Sequence, residues 1–158
     1  MKILIKIYGL LVTICEKFLS HLFLLAVRVT WGYQFFLTGK GKLTHIDKTT
    51  AFFSDLGIPA PKFHAILAGS TECFGGALLV IGLASRVVSI PLTVTMVVAY
   101  LTAHKDNVHS LDDFVAQAPF PFLMTALIVL FFGAGIISVD GLLEHTVFKK
   151  RKQSSNSQ

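Results

Sequence analysis

Residues 63–83, FHAILAGSTECFGGALLVIGL, are apolar over the length of a membrane span yet carry one carboxylate, Glu72, near the middle. At about 1.5 Å of rise per residue such a helix crosses a hydrocarbon core about 30 Å thick. A charge at its centre costs roughly 2.5–3.5 kcal/mol on insertion scales, so Glu72 must face protein and find a partner. The spacing supplies the face. Ala65, Ala68, Gly69, Glu72, Cys73 and Gly76 recur at steps of three and one and share one side of a helix. Small residues on that side let another helix approach closely.

Three more apolar runs resemble this one in length, with spans of about 18–37, 87–103 and 120–137 beside 63–83. A mean hydropathy of +0.68, with 53% hydrophobic and 15% charged residues, sets the chain apart from soluble proteins. The expected fold is all-α, an integral membrane four-helix bundle forming one domain over residues 1–148. Residues 149–158, KKRKQSSNSQ with the first two lysines included, read as a basic, polar, disordered tail. The N-terminal run over residues 3–15 is broken by Lys6, and no small-x-small cleavage site follows it. It reads as an interfacial or tilted lead-in helix rather than a cleaved leader. Between the first two spans, Thr44 can cap a short helix with Asp47 three residues on. Ile46, Thr50, Phe53 and Leu56 form its apolar face, and Gly57 and Pro59 end it. This segment is expected to be an amphipathic interfacial helix.

The formal charge of +5 invites a nucleic-acid reading, but Lys and Arg gather at span ends and in the tail. That pattern suits membrane orientation and anionic lipid, so no nucleic-acid partner is expected. With both termini cytoplasmic, the inner side holds eight basic residues: Lys2, Lys6, Lys17, Arg86, Lys149, Lys150, Arg151 and Lys152. The outer side holds five: Lys40, Lys42, Lys48, Lys62 and Lys105. This bias favours cytoplasmic ends. The only cysteines, Cys15 and Cys73, form no CxxC, which argues against a disulfide framework, a thiolate zinc site or dithiol chemistry. Cys73 reads as a small buried residue rather than a redox thiol. No phosphate loop, Ser/His/Asp nucleophile motif or haem attachment motif is present.

Arg28 lies ten residues into the first span and Glu72 nine into the second, so both are expected near the midplane. An Arg28–Glu72 pair follows from this placement. Such a pair can fix helix register, or it can form a polar site that exchanges protons or binds a ligand. His104 ends the third span and could relay protons at the mouth of that site. Trp31 follows Arg28 by one turn and is either a packing aromatic or one wall of a pocket for a flat ring such as a quinone. With Asp106, Asp112 and Asp113 nearby, His104 and His109 are candidate metal ligands, but their spacing matches no standard site, and no metal is expected. The catalytic candidates are therefore Glu72, Arg28 and His104. The cofactor-binding candidates are Trp31, Arg28 and Glu72.

An Arg in the first span is followed by GKGKL at 39–43, FFSDLGIPAP at 52–61 and TECFGGALLVIGLASR at 71–86. A histidine then ends the third span, and GAGIISVDGLL occupies 133–143. In this order, over roughly residues 20–143, the chain resembles the DoxX family of small four-helix bacterial membrane proteins. It departs at Ala134, where a proline is common, and at Ile136, where a basic residue is frequent. The resemblance implies a bacterial inner-membrane protein, a link to quinone-coupled oxidation of sulfur compounds or to redox stress, and no general catalytic assignment.

Three functions remain open. The first is a redox-linked, quinone-associated subunit of an oxidoreductase, working with a soluble or membrane redox partner. The second is a protein that binds or transports a small molecule or ion, which four spans support best if the chain forms a homo-oligomer. The third is a non-catalytic assembly subunit whose loops dock a soluble enzyme.

Overall fold

The computed structural model describes residues 18–105 and 108–146, together with Lys6, Tyr8, Gly9 and Val12. The rest of the expected lead-in helix over residues 3–15, with Cys15, Asp106 and the tail over residues 149–158, lies outside these. The described chain is helical and contains no strand. In order, the helices are α1 (Ser20–Thr44), α2 (Ile46–Asp55), α3 (Pro61–Ile81), α4 (Ser85–Thr102), α5 (Leu111–Ala116) and α6 (Pro119–Phe132). A last helix, α7, spans residues 139–146. The most extensive packing is α1 on α3, followed by α4 on α6. Lesser contacts join α3 to α4 and α1 to α6.

Two helices, α3 and α4, are long and apolar enough to cross a membrane, while α6 is apolar but has 14 residues. The outward faces are apolar too. Phe74 is 68% exposed on α3, Leu101 67% on α4 and Phe131 72% on α6. Large aromatic and aliphatic side chains on the outside suit lipid, which gains nothing from polar coverage. The interior joins Phe35, Leu79, Leu92, Met96 and Val129.

Two boundaries differ from the sequence expectation. The first helix does not stop near Leu37 but continues through TGKGK to Thr44. The segment beyond residue 37 was expected outside the span, yet Gly39 is needed inside the helix. A Cβ there would fall on the Cys73 amide and lie 2.7 Å from the Gly69 carbonyl oxygen. Gly76 answers it a few turns away, where a Cβ would lie 2.6 Å from the Gly32 carbonyl oxygen. These close approaches fix the antiparallel register of α1 against α3. The last apolar run stops at Phe132 instead of continuing to Ile137. Gly133, at φ 79°, leaves the helical region, and residues 133–138 form a corner.

The α3–α4 link is tight. Gly82, at φ 72°, closes α3 as its amide donates to the Leu78 carbonyl oxygen at 2.9 Å. Asp140 of α7 then caps α4, accepting from the Ala84 amide at 2.7 Å and the Ser85 amide at 2.8 Å. A short helix, α2, stands where the amphipathic helix was expected. Ile46, Thr50, Phe53 and Leu56 form its half-buried face, as their spacing indicated. Thr44 does not cap it, because its hydroxyl donates back to the Lys40 carbonyl oxygen at 2.7 Å within the extended α1.

Candidate functional site

Glu72 is fully buried on the face of α3 that packs on α1, as its spacing required. Its partner is Lys42, not Arg28. The expected Arg28–Glu72 pair does not form, because of the register. Gly39 lies against Gly69 and Cys73, and Gly82 lies against Arg28, where a Cβ would fall 2.6 Å from Nη1. Arg28 is thus level with Gly82, ten residues and about 15 Å along α3 from Glu72. The estimate from span starts failed because α1 runs to Thr44, so its centre is not at Arg28. Lys42 stands one turn beyond Gly39. Helical side chains lean toward the N-terminus of their helix, so its long stem reaches back to Glu72 Oε1.

Arg28 meets different needs. It is 1% exposed, and its guanidinium donates to the carbonyl oxygens of Ala134 and, at 2.9 Å, Ile137. Those carbonyls belong to the corner after α6, where no helix supplies N–H donors. A guanidinium fork can serve two carbonyls at once.

The Lys42–Glu72 pair opens on a cavity of about 480 Å³ between α1, α2, α3, α4 and the start of α6. Phe53, Leu56 and Ile58, from α2 and the loop after it, cover one side, while Met96, Ala99 and Phe122 form part of another. His104 also lines it, so two of the three sequence candidates, Glu72 and His104, share one space, and Arg28 is outside it. The His104 ring is placed by Gln117, with Nδ1 2.7 Å from Oε1, and contacts the Tyr100 ring. With Oε1 accepting, Nδ1 carries the proton and Nε2 is left as an acceptor. Trp31 does not line the cavity. Its ring meets Phe122 edge-to-face at 5.3 Å, so one aromatic stands between them.

Sequence reasoning missed Lys42, His64 and α2 as parts of this wall. Lys42 lies beyond the expected span end at residue 37 but belongs to α1. His64 stands at the expected start of a span, and it lines the cavity while its Nδ1 stays 2.7 Å from the Pro59 carbonyl oxygen. The apolar face of α2 was visible, but what it covers was not. Among the described residues, no three His, Cys, Asp or Glu side chains come together to hold a metal ion. His104 turns to Gln117, and His109 engages Asp113 through its backbone amide.

Residues 23–105 match the DoxX family model, and the chain belongs to the DoxX family. It is 30% identical over 135 residues, 84% of this chain and 92% of the relative, to a Bacillus subtilis protein named "Putative oxidoreductase CatD". A Haemophilus influenzae protein, described as uncharacterized, is 29% identical over 131 residues, covering 79% of this chain and 85% of its own. An uncharacterized membrane protein of Mycobacterium tuberculosis is 35% identical over 74 residues, covering 46% of this chain and 45% of its own. No solved structure matches. The chain is a membrane protein, by family and by its apolar outer surface.

Proposed function

We propose that the chain is a four-span inner-membrane subunit linked to redox chemistry, which holds a quinone-class molecule in the cavity beside Glu72. The observation that carries this reading is an ion pair, Lys42–Glu72, whose carboxylate is buried, set in the wall of an otherwise largely apolar cavity. Small-molecule sites combine apolar walls with a few placed polar groups in volumes of about 300–1,000 Å³. A buried ion pair gives little net stability over an apolar pair, so packing alone is a poor reason for it. The oxidoreductase name of the Bacillus subtilis relative supports the redox link.

In this reading α1, α3, α4 and α6 are the spans of a single domain, and α2 lies at the outer surface. Both termini are cytoplasmic. Lys42, held by Glu72, no longer counts as a free outer lysine, which changes the basic-residue bias from eight against five to eight against four. Glu72 and Lys42 hold charge and hydrogen bonds at the ligand, and His104 is the second polar group. Arg28 positions the inner corner and takes no part in binding.

The test is mass spectrometry of small molecules retained by protein purified in mild detergent, wild type beside Glu72→Gln. A quinone-class molecule held by wild type and lost in the variant is the expected result. An empty cavity in both proteins, after extraction from membranes that contain quinones, would overturn the reading.

A further inference from the structure

We infer that the cavity is built for a ligand that donates hydrogen bonds, an apolar ring bearing hydroxyl groups, so that the quinol form binds in preference to the quinone. This rests on the quinone-class reading above and names the form of the ligand that the same site selects. The observation behind it is a polar atom with no partner. Glu72 is fully buried, Oε1 is taken by Lys42, and Oε2 is enclosed with no hydrogen bond among the described residues. A buried carboxylate oxygen left without a donor is costly. An ionised carboxylate can only accept, so only a donor can satisfy it.

The second polar group on the wall asks for the same chemistry. With Gln117 Oε1 accepting, the His104 Nδ1–H donates to it, which leaves Nε2 of the neutral ring as an acceptor. Lys42 is the donor already bound to Glu72. Its side chain is 32% exposed at the end of α1, where water can meet its remaining N–H groups. The unmet demand in the cavity wall, at Glu72 Oε2, is therefore for a donor. A hydroxyl group meets it and suits the Nε2 acceptor as well. A quinone carbonyl would place oxygen lone pairs against Oε2 and against the ring nitrogen. A site whose buried groups need a substrate hydroxyl discriminates strongly against the analogue that lacks it.

The test uses full-length protein in detergent, without oxygen, titrated with a short-chain benzoquinol and with the benzoquinone of the same ring. Trp31, the single tryptophan, lies one ring from the cavity and reports binding by its fluorescence, with calorimetry as the second readout. Wild type should bind the quinol at least about tenfold more tightly than the quinone. Glu72→Gln, whose carboxamide adds an N–H donor, should narrow or reverse that preference. His104→Phe should weaken quinol binding more than quinone binding and so narrow the preference, and it decides the matter if Glu72→Gln does not fold. Equal or tighter binding of the quinone by wild type overturns this inference and leaves the proposed function standing. A quinol preference that survives in every folded variant also overturns it. Failure of both forms to bind removes the inference and the proposed function together.

Discussion

Lys42 of α1 and Glu72 of α3 form an ion pair thirty residues apart in sequence, at the opposite end of the α1–α3 interface from Arg28. The separation divides the buried charges by task. One end of the interface holds a carboxylate with an unused oxygen beside a cavity. The other holds a guanidinium whose terminal nitrogens tie down a backbone corner.

The pair makes its own mutational signature. Lys42→Ala strands the Glu72 carboxylate in a buried position and is expected to cost about 1–3 kcal/mol. The double variant Lys42→Ala/Glu72→Gln removes the stranded charge and should be more stable than Lys42→Ala alone. Thermal unfolding in detergent of the four proteins of the cycle measures the coupling directly. A double variant that simply adds the two single losses would show that the two side chains do not interact.

Arg28 gives a contrasting result. Arg28→Lys keeps the charge but replaces a two-pronged donor with one ammonium, so one of the carbonyls of Ala134 and Ile137 loses its bond. The expected loss is about 1.5–3 kcal/mol, the range for a hydrogen bond to a charged group. Because Arg28 lies outside the cavity, the ligand retained per folded protein should match wild type. Selective loss of ligand in a well-folded Arg28→Lys protein would place Arg28 back in the binding site.

The sequence revealed the helical class, the apolar face of α2 and the inward face of Glu72, because each is a matter of period and local chemistry. The partner of Glu72 was hidden, because pairing depends on how far two antiparallel helices slide past each other. That slide is set by backbone contacts at Gly39 and Gly76, and nothing local to Glu72 records it. Gly39 is helical because α3 packs against its backbone, a contact that nothing local to GKGKL records. The cavity was hidden for a similar reason, since its walls come from residues as distant as Thr38 and Phe122.

The two glycines of GKGKL should therefore respond in opposite ways. Gly39→Ala drives a methyl group into the Cys73 backbone, which cannot yield as a flexible side chain could. A loss of about 1–3 kcal/mol or more is expected, together with a shift of the Lys42–Glu72 pair. Gly41 has nothing within 4 Å of where a Cβ would sit. Gly41→Ala should stabilise the helix by about 0.5–1 kcal/mol through backbone entropy alone. Paired melting curves of the two variants test this, and equal effects would contradict the register described for α1 and α3.

The short helix α5 carries a pH-dependent cap. Ser110 accepts from the Asp113 amide at 3.2 Å, and the Asp113 carboxylate accepts from the Ser110 amide at 3.0 Å and the His109 amide at 3.2 Å. The Ser110 side chain first, and then the backbone amides, hold the Asp113 carboxyl below the usual carboxylate range. A group whose folded pKa is depressed stabilises the fold above its unfolded value and loses that contribution as pH falls through the folded one. The cap should thus be intact at neutral pH and open only in acid, below the range where exposed aspartates titrate. Amide exchange at His109 and Ser110 across that range would show it, with protection lost on acidification. Asp113→Asn, which cannot titrate, should flatten that pH dependence. Because the Asp113 carboxylate lies at the surface, the change should stay local to α5 and leave the melting temperature of the chain nearly unmoved.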